Sequence, residues 1–183
     1  MSEATENIES AQHAHESGNK KLALLIAILA LFLAITETLS KSYQTEVIIK
    51  QQEASNWWSF FQAKSIRGFS AQIAKDQLIL LGNEKNPKVQ ESINKLDQAI
   101  HKYNDDESTG EGKKQLAEKA KDAEHEVKIF MAKYEKMELA AGMLQVAIVL
   151  ASATIISGVG VLSLVSLGLG AIALSIAGFA FFI

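Results

Sequence analysis

The stretch LAEKAKDAEHEVKIFMAKYEKMELAAGMLQVAIVLASATI, residues 116–155, decides the fold. Leu116, Ala120, Ala123, Val127, Phe130, Tyr134, Met137, Ala141, Leu144, Ile148, Ala151 and Ile155 recur at alternating spacings of four and three. That is the period of a helix seam that needs a partner helix. Charged residues crowd the flanks of the seam as far as Glu138 and then stop, while the register continues. The expectation is one helix that begins in water and ends in lipid. From Leu139 to Ile183 there are 45 residues without an ionisable side chain, whereas a bilayer core takes about 20 residues of helix. The tail is therefore expected to make two spans, 139–156 and 161–183, around the turn Ser157-Gly158-Val159-Gly160.

Towards the N-terminus, Lys20 and Lys21 precede the unbroken apolar run Leu22–Ile35, and a first span is expected over 20–39. A secretory signal peptide would look similar. The largely acidic leader and the weak cleavage pattern at Thr38 and Ser40 favour an uncleaved anchor. Glu37 stands about 24 Å from Lys21 along a helix, near the far membrane boundary. A carboxylate there either sits at the interface or faces a bundle interior or ion path, so Glu37 and Gln145 are the candidate polar residues of the membrane. Residues 1–19 read as a disordered polar tail. Its His13 and His15 have no third ligand nearby and are expected to be solvated.

Between the first two spans, residues 40–138 read as a helical stalk with helices near 45–81, 87–103 and 113–138. Val47, Ala54, Trp58, Phe61, Phe69, Ile73 and Leu80 fall near a 3.6-residue period, and Val89, Ile93, Leu96, Ile100 and Tyr103 repeat the four-three spacing. Gly82 and Asn83 supply a helix stop, and Asn86-Pro87 a cap and first-turn residue for the next helix. Trp57, Trp58, Phe60 and Phe61 form the densest aromatic cluster, and four rings cannot all face one seam. With Lys64 and Arg67 they are the candidate interaction residues.

A net charge of -3 with Lys interleaved among acids offers no basic stripe, so nucleic acid is not an expected partner. The chain has no Cys, which removes disulfides, thiolate metal sites and Cys nucleophiles. The acids Asp105, Asp106 and Glu107 do not make an EF-hand, since Leu116 stands where the closing Glu belongs, and they read as a solvated loop. Gly158-x-Gly160 lies within an apolar run with no strand before it, so it is not a nucleotide loop. His101 and His125 read as surface residues. No hydroxyl, imidazole and carboxylate are grouped for catalysis, and the expectations are no enzyme, no catalytic residue, no metal and no cofactor.

Ala54-Ser55-Asn56-Trp57-Trp58-Ser59-Phe60-Phe61-Gln62-Ala63-Lys64-Ser65-Ile66-Arg67, followed later by Gln145-Val146-Ala147-Ile148-Val149-Leu150-Ala151-Ser152, resembles the signature of a bacterial membrane-protein family known as domain of unknown function 4337. The resemblance covers most of the chain. It implies a helical membrane protein of the bacterial inner (cytoplasmic) membrane and assigns no activity. Residues and resemblance together give an all-α, multi-pass membrane protein with three transmembrane helices and an extramembrane coiled-coil stalk between the first and second. Basic residues near the membrane are more numerous on the stalk side, but that segment is longer than the loops over which charge bias is reliable; the resemblance points the other way, and orientation leans to a cytoplasmic N-terminus. The expected function is a self-associating helical scaffold or interaction module. Its expected partners are the lipid bilayer, further copies of the chain and, beyond these, another membrane protein. The alternative is a subunit of an oligomeric channel or transporter lined by Glu37, Gln145, Ser152 and Thr154.

Overall fold

The computed structural model describes residues 20–81 and 86–183. The tail 1–19 with His13 and His15, and the stop at Gly82-Asn83, lie outside the described residues. Among the described residues the fold is all-α: α1 (Lys20–Leu80), α2 (Pro87–Asn104), α3 (Lys113–Ser157) and α4 (Gly160–Phe179), ending in a 3-10 turn at Ala180–Phe182. Three helical stretches, within α1, within α3 and over Gly160–Phe182, are long and apolar enough to cross a membrane by length and composition. The backbone divides into two compact units, residues up to Val47 with Lys128–Ile183, and Ile48–Val127.

In the first unit the beginning of α1, the end of α3 and α4 pack around one core. Ile26, Leu29 and Leu33 of α1 meet Met137, Leu144 and Ile148 of α3, and α4 contributes the buried Ala173 and Ala177 with Leu169 and Ile176 packed beside them. Small side chains let helix backbones approach closely. A Cβ added at Gly170 would come within 2.7 Å of Leu29 Cδ2, and the Ser166 hydroxyl donates to the Ala147 carbonyl at 2.6 Å. Ser166, Gly170, Ala173 and Ala177 all face inward, while Ala171 and Ser175, a pair at the same spacing, face outward. Thr36, Thr154 and Ser157 each donate to the carbonyl four residues back, which satisfies hydroxyls in apolar surroundings without a partner helix.

In the second unit α2 begins as the sequence suggests: the Asn86 side chain accepts from the Lys88 N–H at 3.0 Å, and Pro87 opens the first turn. Val89, Ile93, Leu96, Ile100 and Tyr103 are all half-buried. The α3 seam holds along the whole helix, since each of its twelve residues is buried or half-buried. On α1 the expected stripe needs correction. Beyond Phe61 the inward face continues the four-three register through Ser65, Gly68, Gln72 and Lys75, where a Cβ on Gly68 would lie 3.6 Å from Tyr103 Cβ. Phe69 (68% exposed), Ile73 and Leu80 (84%) lie on the outer flank with Ile66. Period alone placed these apolar residues inside, whereas the seam here is built from small and polar side chains that admit Tyr103.

Candidate functional site

Two groupings of polar and aromatic side chains stand out, one within each unit. In the second unit, α1 carries the aromatic cluster over two consecutive turns. Trp58 meets Phe61 edge-on with ring centres 5.4 Å apart, and Trp57 lies 6.0 Å from Phe60 in a tilted pair. The Trp58 indole N–H donates to the Glu124 carboxylate on α3 at 2.7 Å, and the Lys119 ammonium sits 4.9 Å from the centre of the Trp57 ring. Trp57, Trp58 and Phe61 are half-buried, whereas Phe60 and Arg67 are exposed. Lys64 pairs with Glu111 at 3.4 Å. The six candidate interaction residues are thus split: five are engaged with α3, its preceding loop or each other, and of these Phe60, like Arg67, reaches solvent.

The same unit holds polar structure that sequence reasoning missed. Asp106, read as solvated, is only 5% exposed. Its carboxylate accepts the Ser108 hydroxyl at 2.6 Å, the Thr109 hydroxyl at 2.7 Å and the Thr109 N–H at 3.3 Å. Those hydroxyls hold it at about 2, well below the usual carboxylate range. Gln115 bridges the loop by donating to Asp105 and accepting from the Asp106 N–H. The turn depends on Gly110, at φ 66, and on Gly112, where a Cβ would collide with the backbone of Asp105 and Asp106. The spacing Asp106-x-Ser108-Thr109 was the available signal. Lys50 is clamped by Glu126 at 2.6 Å and Glu53 at 3.2 Å, and these carboxylates raise its ammonium above the ordinary value.

In the first unit, Gln145 of α3 donates its side-chain amide to the Glu37 carboxylate of α1 at 3.2 Å, joining the two polar residues singled out in the apolar segments. They line a cavity of about 480 Å³ together with Ser40, Lys41, Tyr134 and Glu138. Hydrogen bonding to Glu138 raises the Tyr134 phenol above its usual value. Tyr43 stacks at a tilt 6.4 Å from Phe130, and the Lys133 ammonium stands 5.9 Å from the Tyr43 ring. Lys136 lies 5.8 Å from the Phe179 ring at the end of α4. Of the other polar residues proposed for an ion path, Thr154 bonds its own helix, and the buried Ser152 hydroxyl has no hydrogen-bond partner among the described residues.

No curated protein and no solved structure matches the chain. A family does: the one described as Domain of unknown function (DUF4337) matches residues 18–183. The Trp57-Trp58 segment, the three apolar helices and the polar pair between α1 and α3 all fall within that range, and the chain belongs to this family.

Proposed function

We propose that this protein is a membrane-anchored helical module that associates with further copies of itself. The anchor is the three-helix unit, with Leu22–Ile35 of α1, the uncharged end of α3 and α4 as spans. Support comes from apolar length, from hydroxyls bonded to their own helices and from apolar side chains such as Leu24, Leu31, Val149 and Leu164 turned outward. Residues 40–138 form the extramembrane stalk.

The observation that carries self-association is the outer flank of α1. Ile66, Phe69, Ile73 and Leu80 lie within about 60° of one another on a helix and are all exposed. A line of large apolar side chains left in water marks an interaction surface. Cross-linking and light scattering of the full chain in detergent test this. An oligomer lost in Phe69→Ser/Ile73→Ser supports it, and a monomer at every concentration sinks it. The channel reading has less support, because Glu37 and Gln145 are turned to one another and Thr154 to its own backbone.

A further inference from the structure

The pocket that holds Glu37 keeps charges of opposite sign apart. Glu37 and Lys41 are one helical turn apart, a spacing at which such residues commonly pair. Here the Glu37 carboxylate turns across to Gln145 instead, and among the described residues neither Glu37 nor Lys41 closes an ion pair, although both line the cavity. Glu138, beside Tyr134, adds a second carboxylate to the wall. A half-buried carboxylate at the end of an apolar segment gains from a cationic partner that replaces lost water.

An ammonium group has three donors. The lining offers two carboxylates, Glu37 and Glu138, and the phenol of Tyr134, and an aromatic ring attracts a cation as well. A metal ion fits less well: among the described residues no group of three or more His, Asp or Glu is placed to hold one. The Lys41 ammonium, on the same wall, suits a phosphate attached a few bonds away.

We propose that this cavity binds a phosphoethanolamine group, its ammonium between Glu37 and Glu138 and its phosphate on Lys41. The group comes either as the headgroup of a phospholipid or as the free zwitterion. The pocket stands where the apolar segments of α1 and α3 give way to charge, at Lys41 and Glu138. The lipid source rests on the membrane reading above; the site chemistry does not.

The test uses the full chain in maltoside detergent. Native mass spectrometry compares retention of phosphatidylethanolamine with that of phosphatidylglycerol, and calorimetry titrates free phosphoethanolamine. Retention of phosphatidylethanolamine about fivefold above phosphatidylglycerol, equivalent to about 1 kcal/mol, with no response to the free compound, supports the lipid source. Saturable binding of the free compound without lipid preference supports the soluble source. In either case Glu37→Gln/Lys41→Gln, with helical circular dichroism unchanged, removes the binding. The proposal is overturned if the unaltered protein shows neither response, or if the folded double variant binds as well as the parent. Recovery of the protein in the soluble fraction after lysis without detergent would sink the membrane reading alone, and the phosphoethanolamine titration would still decide the site.

Discussion

The indole of Trp58 on α1 hands its N–H to the Glu124 carboxylate on α3, 66 residues further along the chain, at 2.7 Å. One ring thus ties the facing of α1 to α3, whereas its contact with Phe61 lies within α1 itself. Trp58→Phe keeps an aromatic ring and removes the donor. The expected outcome is a melting temperature a few degrees lower, in line with about 1 kcal/mol for a hydrogen bond, while Trp57 fluorescence persists. Glu124→Gln retains an acceptor and is expected to fall between the two proteins.

Gly170 is the point where α4 runs against Leu29 of α1. Gly170→Ala meets the far end of a flexible side chain, so a change of Leu29 rotamer accommodates it. Gly170→Leu has no such escape. It is expected to destabilise the three-helix unit by about 1–3 kcal/mol, as overpacking of a close contact does, read as a lower melting temperature in detergent. Gly168, where an added Cβ meets nothing within 4 Å, is the control position and should tolerate Leu.

Acid should loosen the loop that joins α2 to α3. Asp106 has a folded value near 2 against an ordinary 3.8. A depressed carboxylate contributes its stabilisation at pH above the ordinary value and loses it as pH falls through the folded value. The loss therefore runs from about pH 4 down to about pH 2. Asp97 and Asp105, lowered mainly by hydrogen bonds from Lys75 and Gln115, act in the same direction, and Lys102 stands 3.9 Å from Asp106. Asp106→Asn is expected to melt lower at pH 6 and to show a shallower decline between pH 4 and 2, followed by circular dichroism.

On the proposed self-association, the outer flank of α1 separates stability from assembly. Phe69→Ser/Ile73→Ser changes exposed side chains, so the fold should keep its stability to within about 0.5 kcal/mol. The association state should nevertheless shift towards monomer in light scattering.

How far these features were legible in the sequence depended on whether one residue type carried the signal. The α3 seam was readable because period and apolar character coincide in every repeat from Leu116 to Ile155, and Asn86-Pro87 was readable because its chemistry is local. On α1 the two signals part company after Phe61. The register passes into Ser65, Gly68, Gln72 and Lys75, and the apolar residues that looked like its continuation are one step round the helix. A glycine admitting a tyrosine, and a lysine paired with Asp97 at 2.5 Å, keep a helix face inward without greasy side chains. Glu37 and Gln145 were each conspicuous as polar residues in apolar segments, yet their pairing spans 108 residues and has no local mark. Asp106 was misread because its partners gather only when Gly110 turns with positive φ and Gly112 leaves room.

The hydroxyl of Ser166 reaches a carbonyl only 19 residues earlier in the chain, across a turn that needs Gly158 at φ 71. Contacts so near in sequence close quickly and at small entropic cost. The last two helices can therefore lock as a hairpin on their own timetable, leaving Leu29 to find the notch at Gly170 afterwards. Loss of that hydroxyl would show first as a slower or misregistered closing of this hairpin.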